Sequence, residues 1–483
     1  MMLRRLGTSL SLIALLSACG GGGGGGSNGG AAPSPIAGSP APAPTPPPTQ
    51  TSSGCSVRER QNWAAAQLNE WYLFPETLPA NQTSVQDSVE TYIDSLTATA
   101  RAQGRDRFFT YLTSIAEENA FYRSGSTAGF GIRLSQGGSD QRLLVSEAFE
   151  GAPALAAGID RGTEIVAIGT SANNLRTVSS IIAAEGSGGV DRALGPSTAG
   201  TTRVLRVTDA QGTREVSVTK ADFALTPVSS RYGARIIEDG GKRVGYVNLR
   251  TFISTADPAL RDAFAGFRAA NVTDIIVDLR YNGGGLVSIA NLMGDLLGRD
   301  RSTSDVFSYT AFRPEKSSEN DTRFFQPQPQ SIAPTRVAFI GTGNSASASE
   351  LVINAFVPYF RNRAALIGTN TYGKPVGQIA LDRSQCDDRL RLVAFATQNA
   401  SRQGDYFSGL ARTVEASCQA ADDLFRPLGD PQEASTRQAL DFLAGRTCTP
   451  ISGGQSGQSA QNRRSLLTPD RPNTAQREVP GAF

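Results

Sequence analysis

Apolar residues between Cys55 and Arg123 recur at helical spacing. Ala64, Leu68, Trp71 and Tyr72 fall at i, i+4, i+7 and i+8, and Val85, Val89, Tyr92, Ile93 and Leu96 repeat the stripe. Ser84 is placed to cap the second helix, with Asp87 at its N3 position. From Gly125 to Thr226 the pattern changes to short β-type runs: Gly131–Leu134, Leu143–Ser146, Glu164–Ile168, Val204–Thr208 and Glu215–Thr219, separated by turn-forming residues. From Lys242 to about Gly445 strands and helices alternate. Val244–Leu249 predicts a strand, followed by a helix that Asp257 caps, with Pro258 in its first turn and Leu260, Phe264 and Phe267 on one face. Asp274–Leu279 is a nearly continuous apolar run, as expected of a strand covered on both faces. Leu286, Ile289, Ala290, Met293, Leu296 and Leu297 describe a further helix. Val337–Ile340 is a strand leading to a helix that starts near Ser347, and the strand Ala364–Gly368 leads to Lys374.

The two ends have a different texture. Arg4 and Arg5 precede an apolar run from Leu6 to Leu16, too short for a stable membrane span, so residues 1–18 read as a signal peptide. The run closes at Leu16-Ser17-Ala18-Cys19, which resembles the bacterial lipobox, and that resemblance implies lipidation of Cys19. Seven consecutive glycines, Gly20–Gly26, and eight prolines between Pro33 and Pro48 follow, a tether over residues 19–54. No aspartate follows Cys19, so by likeness to sorting rules the expected location is the outer membrane, facing the periplasm. Residues 449–483 are rich in Gly, Ser, Gln, Asn, Arg and Pro and read as a disordered tail.

Charge and composition narrow the chemistry. Lys+Arg is 46 and Asp+Glu is 44, which gives no electrostatic case for nucleic acid. The 483 residues include no histidine, so Ser-His-Asp and Cys-His catalysts and His-ligated metals are excluded. No CxxC pair exists for a four-cysteine zinc site, and neither metal nor cofactor is expected. Apart from Cys19, four cysteines remain, and in an exported chain they suggest two disulfides with three connectivities open. Their positions favour Cys55–Cys448, near the two ends of the folded region, and Cys386–Cys418 within one late segment.

Two strand-to-helix junctions carry the candidate chemistry. One is Asp278-Leu279-Arg280-Tyr281-Asn282-Gly283-Gly284-Gly285, whose glycines let backbone N–H groups approach a ligand; the other is Ser345-Ala346-Ser347-Ala348-Ser349-Glu350. Gly373-Lys374-Pro375-Val376-Gly377-Gln378 then supplies a lysine with a glutamine four residues on. Each alone has an ordinary structural explanation: a turn needing φ > 0, a capping cluster, a solvated loop lysine. Together, without histidine, they point to a serine activated by a lysine. A lysine of ordinary pKa ~10.4 cannot take that proton near neutrality, and each unit by which burial lowers it costs about 1.4 kcal/mol.

Gly129-Phe130-Gly131-Ile132, followed by Glu150-Gly151-Ala152-Pro153-Ala154 and Ala157-Gly158-Ile159-Asp160-Arg161-Gly162, resembles a PDZ domain, with Thr163 where that family usually has Asp. The resemblance implies that Gly129, Phe130, Gly131 and Ile132 form a loop binding the end of an extended peptide. The three core motifs behind it resemble the C-terminal processing (tail-specific) serine peptidases of family S41, over roughly Gly125 to Gly445. That likeness implies an α/β crotonase-like core, nucleophile Ser347, general base Lys374, assisting Gln378, and oxyanion donors at the backbone N–H of Ala348 and Gly284. Pro375 departs from the family's usual glycine after the lysine, and Gly368-Thr369-Asn370-Thr371 from its usual "GEPT". Glu350 reads as structural, because a carboxylate beside Lys374 would raise the lysine's pKa. The expected organisation is a helical domain (55–124), a mainly-β PDZ-like domain (125–226) and a peptidase core (227–448). The expected partners are protein or peptide substrates and, through the anchor, a membrane. Two alternatives stay open: a catalytically inactive peptide-binding lipoprotein, and a crotonase-like acyl-transfer enzyme.

Overall fold

The computed structural model describes residues 54–83, 88–138, 140–452 and 464–483. The signal and tether readings up to residue 53, Cys19 among them, and the Ser84 cap with Asp87 lie outside these residues. The second helix spans Val89–Leu96 and is capped by Ser88, whose side chain accepts from the Thr91 N–H.

A six-stranded sheet organises residues 234–443. Its spatial order is Ala234–Asp239, Lys242–Asn248, Asp274–Asp278, Arg336–Gly341, Ala364–Gly368 and Ser417–Gln419. The first pair is antiparallel and every later pair parallel. The apolar run 274–279 is explained by cover on both faces. Ile275 and Val277 pack with Leu260, Phe264, Met293 and Val352 from helices Ala256–Ala269, Val287–Leu297 and Ala348–Phe360. Ile276, one pleat away, packs with Ala439, Leu440 and Leu443 of the helix Ala434–Leu443 on the opposite face. All parallel strands therefore point their C-terminal ends at one rim, where the candidate junctions sit.

The segment expected to be a helical domain is more closely joined to the core. Helices Val57–Trp71 and Val89–Leu96 bury Leu68, Tyr92 and Ile93 against Val376, Leu390 and Leu392, so the two regions share one apolar cluster. The segment also adds the strand Tyr111–Ser114, antiparallel to Asp388–Gln398, to a second sheet of five strands. The short β-type runs read between Gly125 and Thr226 are the strands Ile132–Gly137, Leu143–Ala148, Glu164–Gly169, Thr202–Asp209 and Gly212–Thr219, paired antiparallel.

Two expectations are overturned. The disulfides are Cys55–Cys386 and Cys418–Cys448, not Cys55–Cys448 and Cys386–Cys418. The turn Ser384–Cys386 lies against the start of the first helix, where the Arg383 guanidinium donates to the Gly54 carbonyl. Cys418 is on the edge strand Ser417–Gln419, where the Gln419 N–H donates to the Thr449 carbonyl and brings Cys448 alongside. Nor is all of 449–483 a disordered tail. Arg464–Leu466 is a strand paired with Ser135–Gly137, and Thr474–Glu478 is a short helix capped by Asn473. Its polar composition hid this because the pairing is made by backbone groups.

Candidate active site

Alternation in Ser345–Ser349 divides three serines between two jobs. Ser345 and Ser349 are fully buried and tied to the glycine-rich loop: Ser345 Oγ donates to the Leu279 carbonyl (2.7 Å) and Ser349 Oγ to the Asn282 carbonyl (3.0 Å). The Ala346 N–H also donates to the Asn282 carbonyl, at 3.0 Å. Ser347, between them, remains partly accessible at the start of the helix Ala348–Phe360. Its φ of 55° and ψ of −114° lie outside the regions an ordinary L-residue adopts, a strain of order 1–3 kcal/mol that the two anchored neighbours sustain.

The glycine loop is fixed with equal care. Asn282 Nδ2 donates to the Leu249 carbonyl (2.7 Å), and its Oδ1 accepts from the Gly284 N–H (2.9 Å). Gly284 has φ +121°, and a Cβ there would lie 2.7 Å from Ser347 Cβ and 3.2 Å from the Ala348 nitrogen, so only glycine permits this approach. Among the described residues the Ala348 N–H has no hydrogen-bond acceptor. Behind the loop, Arg280 is buried and donates to both oxygens of Glu433 (3.0 and 2.9 Å) and to Asp278 (3.0 Å). Burial works to raise the Glu433 pKa, but Arg280 outweighs it and holds the carboxyl at about 2.

Glu350 joins the Ser347 segment to the lysine loop. Its carboxylate accepts the N–H of Ser347 (3.1 Å), of Gly373 (2.6 Å) and of Lys374 (2.7 Å). Full burial raises its pKa against these bonds. The carboxylate thus serves the backbone of the lysine loop. The half-buried Lys374 directs Nζ to Gln378 Oε1 at 2.9 Å and lies 4.9 Å from the Phe109 ring centroid. Gln378 Nε2 donates to the Phe109 carbonyl, which fixes the amide with its oxygen toward the amine. Burial pushes the Lys374 pKa down; Glu478 and Asp106 oppose this by their negative charge. Sequence patterning assigns no role to Phe109 or Glu478. Phe109 falls outside the helical stripes, and Glu478 lies in the segment read as disordered.

Gly129, Phe130, Gly131 and Ile132, the residues expected to bind the end of a peptide, lie against Phe483 of the same chain. Gly131 N–H (2.9 Å) and Ile132 N–H (3.2 Å) both donate to the carbonyl oxygen of Phe483. Among the described residues no group of three or more Cys, Asp or Glu is arranged to hold a metal ion. No helix of these residues is long and apolar enough to cross a membrane.

Residues 243–407 match the sequence model of Peptidase family S41. The chain is similar to the chloroplastic C-terminal processing peptidase of Tetradesmus obliquus, at 27% identity over 277 residues, covering 54% of each chain. It is also similar to carboxyl-terminal-processing peptidase 3 of Arabidopsis thaliana, at 28% identity, covering 55% of this chain and 49% of that one. The chain thus spans about half the length of these two curated relatives. In structure it resembles a Bacteroides fragilis NCTC 9343 protein assigned to the S41 proteases, with a TM-score of 0.61 and 23% identity, covering 79% of this chain and 97% of the other. That likeness establishes the fold: the chain shares the mixed α/β, multidomain architecture of S41 peptidases.

Proposed function

We propose that the protein is a serine peptidase that cleaves peptide bonds in unfolded or C-terminally recognised exported proteins, with Ser347 and Lys374 as its catalytic pair. The observation that carries this reading is the single carboxylate, Glu350, that accepts the N–H groups of both Ser347 and Lys374. Nucleophile and base are thereby fixed to one point, although 26 residues of sequence lie between them. Ser347 Oγ attacks the peptide carbonyl while neutral Lys374 Nζ takes the hydroxyl proton. Gln378 Oε1, accepting from the amine, holds Nζ in place for that transfer. The resulting alkoxide on the tetrahedral carbon is met by the Ala348 N–H and the Gly283–Gly284 backbone, where the Gly284 N–H exchanges its Asn282 partner for the oxyanion. The protonated lysine then returns the proton to the departing amine, and water releases the acyl group by the same route.

In this reading the crotonase-like core does the chemistry and residues 125–226 act as a PDZ-like recognition domain. Cys19 is the lipidated anchor that holds the enzyme at the outer membrane, facing the periplasm. The direct test is incubation with unfolded proteins that differ only at their C-termini. Cleavage by the wild type and none by Ser347→Ala or Lys374→Ala supports the assignment. Peptide binding without turnover in the wild type favours the inactive binding module, and acyl-thioester turnover without proteolysis favours the acyl-transfer enzyme. Fractionation of the Cys19→Ser variant tests the anchor, with release from membranes as the expected result.

A further inference from the structure

The segment Arg464–Phe483 lies where an extended peptide ligand would lie. It covers the edge of the strand Ile132–Gly137 in two pieces. Arg464–Leu466 runs antiparallel to Ser135–Gly137, and the Leu467 N–H donates to the Leu134 carbonyl at 2.9 Å. After the helix Thr474–Glu478 the chain returns to the same edge, where the Gly481 carbonyl accepts from the Leu134 N–H at 2.8 Å. The Phe483 N–H donates to the Ile132 carbonyl (2.8 Å), and the Phe483 carbonyl takes both N–H groups of the Gly131–Ile132 loop. The Phe483 side chain is 4% exposed and sits in the apolar cluster with Phe130 and Ile132. This is strand addition, with backbone bonds supplying affinity and one apolar pocket supplying selection.

Between these anchors the segment crosses the catalytic cleft. The Glu478 carbonyl accepts from the Gly283 N–H at 3.1 Å, and Tyr122 Oη donates to Glu478 Oε1 at 3.0 Å. The Arg477 guanidinium lies 3.8 Å from the Tyr111 ring centroid. A Cβ on Gly283 would fall 2.6 Å from the Arg477 carbonyl oxygen, so this backbone rests on the loop whose next residue touches Ser347. A substrate carbonyl cannot use the Gly283 N–H while Glu478 holds it.

We propose that residues 464–483 are an intramolecular ligand that closes both the peptide groove and the catalytic cleft. The polypeptides that open the protein are those whose extended segment delivers a large apolar side chain to the Phe483 pocket. The catalytic half of this inference rests on the peptidase reading; the groove half does not. Covalent attachment gives such a segment an effective concentration on the order of mM. A groove filled 99% of the time binds an outside peptide about 100-fold more weakly than an empty one.

The test uses the full chain with Phe483→Asp and, separately, Gly481→Val. Gly481 has φ +80°, and a Cβ there would sit 3.0 Å from the Leu134 carbonyl oxygen, so the second variant strains docking while leaving Phe483 and the β-region core intact. It carries the test if Phe483→Asp does not fold. The probe is a fluorescein-labelled peptide with the sequence of residues 473–483, followed by anisotropy in a Ser347→Ala background, alongside hydrolysis of unfolded casein in the active background. We expect the variants to bind the peptide about 100-fold more tightly than the unmodified segment allows, and to cleave casein faster than wild type. Equal peptide affinity with and without the substitutions overturns the inference, as do equal, measurable casein rates. A persisting affinity difference with no casein cleavage by any form upholds the intramolecular ligand and refutes the peptidase.

Discussion

Arg280 is buried and Lys374 half-buried at the same rim of the parallel sheet, and their surroundings answer the two side chains differently. Arg280 meets the carboxylates of Glu433, Asp278 and Asp422 with donors in nearly every direction. Its pKa lies well above the ordinary value: burial works to lower it, and the facing anions outweigh burial. Lys374 meets a neutral amide, Gln378, and an aromatic ring, and burial pushes its pKa down against the negative charge of Glu478 and Asp106. A buried cation supplied with counter-charges remains charged and holds the loop in place. One supplied mainly with an amide is poised to give up its proton, as a general base must be. The same contrast separates Glu433, a structural anion, from Glu350, whose three N–H partners only partly offset its burial.

The sharpest way to break this comparison is to remove the two side chains proposed as the catalytic pair singly. Ser347→Ala and Lys374→Ala should each lower kcat for an unfolded substrate by about 10⁴-fold or more, with unchanged circular dichroism, because neither half of the pair works alone. Activity in Lys374→Ala near that of wild type would refute the assignment of the base. In the wild type, the rate should rise with pH along a limb set by the lowered Lys374 pKa and level above it. A limb that persists in Lys374→Ala would identify another base.

Arg280→Ala probes the other side. It strands Glu433 and Asp278 without their cation, and truncation of one partner in such a buried set costs about 3–5 kcal/mol. Urea denaturation should show that loss, and a loss below about 1 kcal/mol would mean the network is hydrated rather than compensated.

Acid should act on the compensated carboxylates. Glu433 and Glu147 have folded pKa values of about 2, the latter because Arg250 and Arg133 outweigh burial. Their unfolded values are near 4.3, so the stabilisation is fully present above that pH and is lost as pH falls toward 2, at about 3 kcal/mol each. Thermal melts between pH 5 and 2 should drop across this window, and the drop should shrink in Glu433→Gln.

The smallest effect is expected at Ser349→Ala, which removes one buried hydrogen bond to the Asn282 carbonyl and should cost about 1–3 kcal/mol of stability while activity persists. Complete inactivation of a folded Ser349→Ala protein would move the nucleophile away from Ser347.

The sequence by itself determined the candidate residue types and the elements that present them. Apolar runs such as Asp274–Leu279 announce strands covered on both faces, and the small residues of Ser345–Ser349 allow close packing against a glycine turn. The absence of histidine excludes a Ser-His-Asp arrangement. All of this is local chemistry with a short period, which one chain displays without reference to its neighbours. Tertiary structure alone decided the disulfide partners, the arrival of Phe109 beside Lys374, and the docking of Arg464–Phe483 on a strand edge. Cysteine pairing follows from which segments meet in space, and a backbone edge accepts a strand through N–H and C=O groups that nearly every residue carries. Neither leaves a periodic trace in the order of side chains.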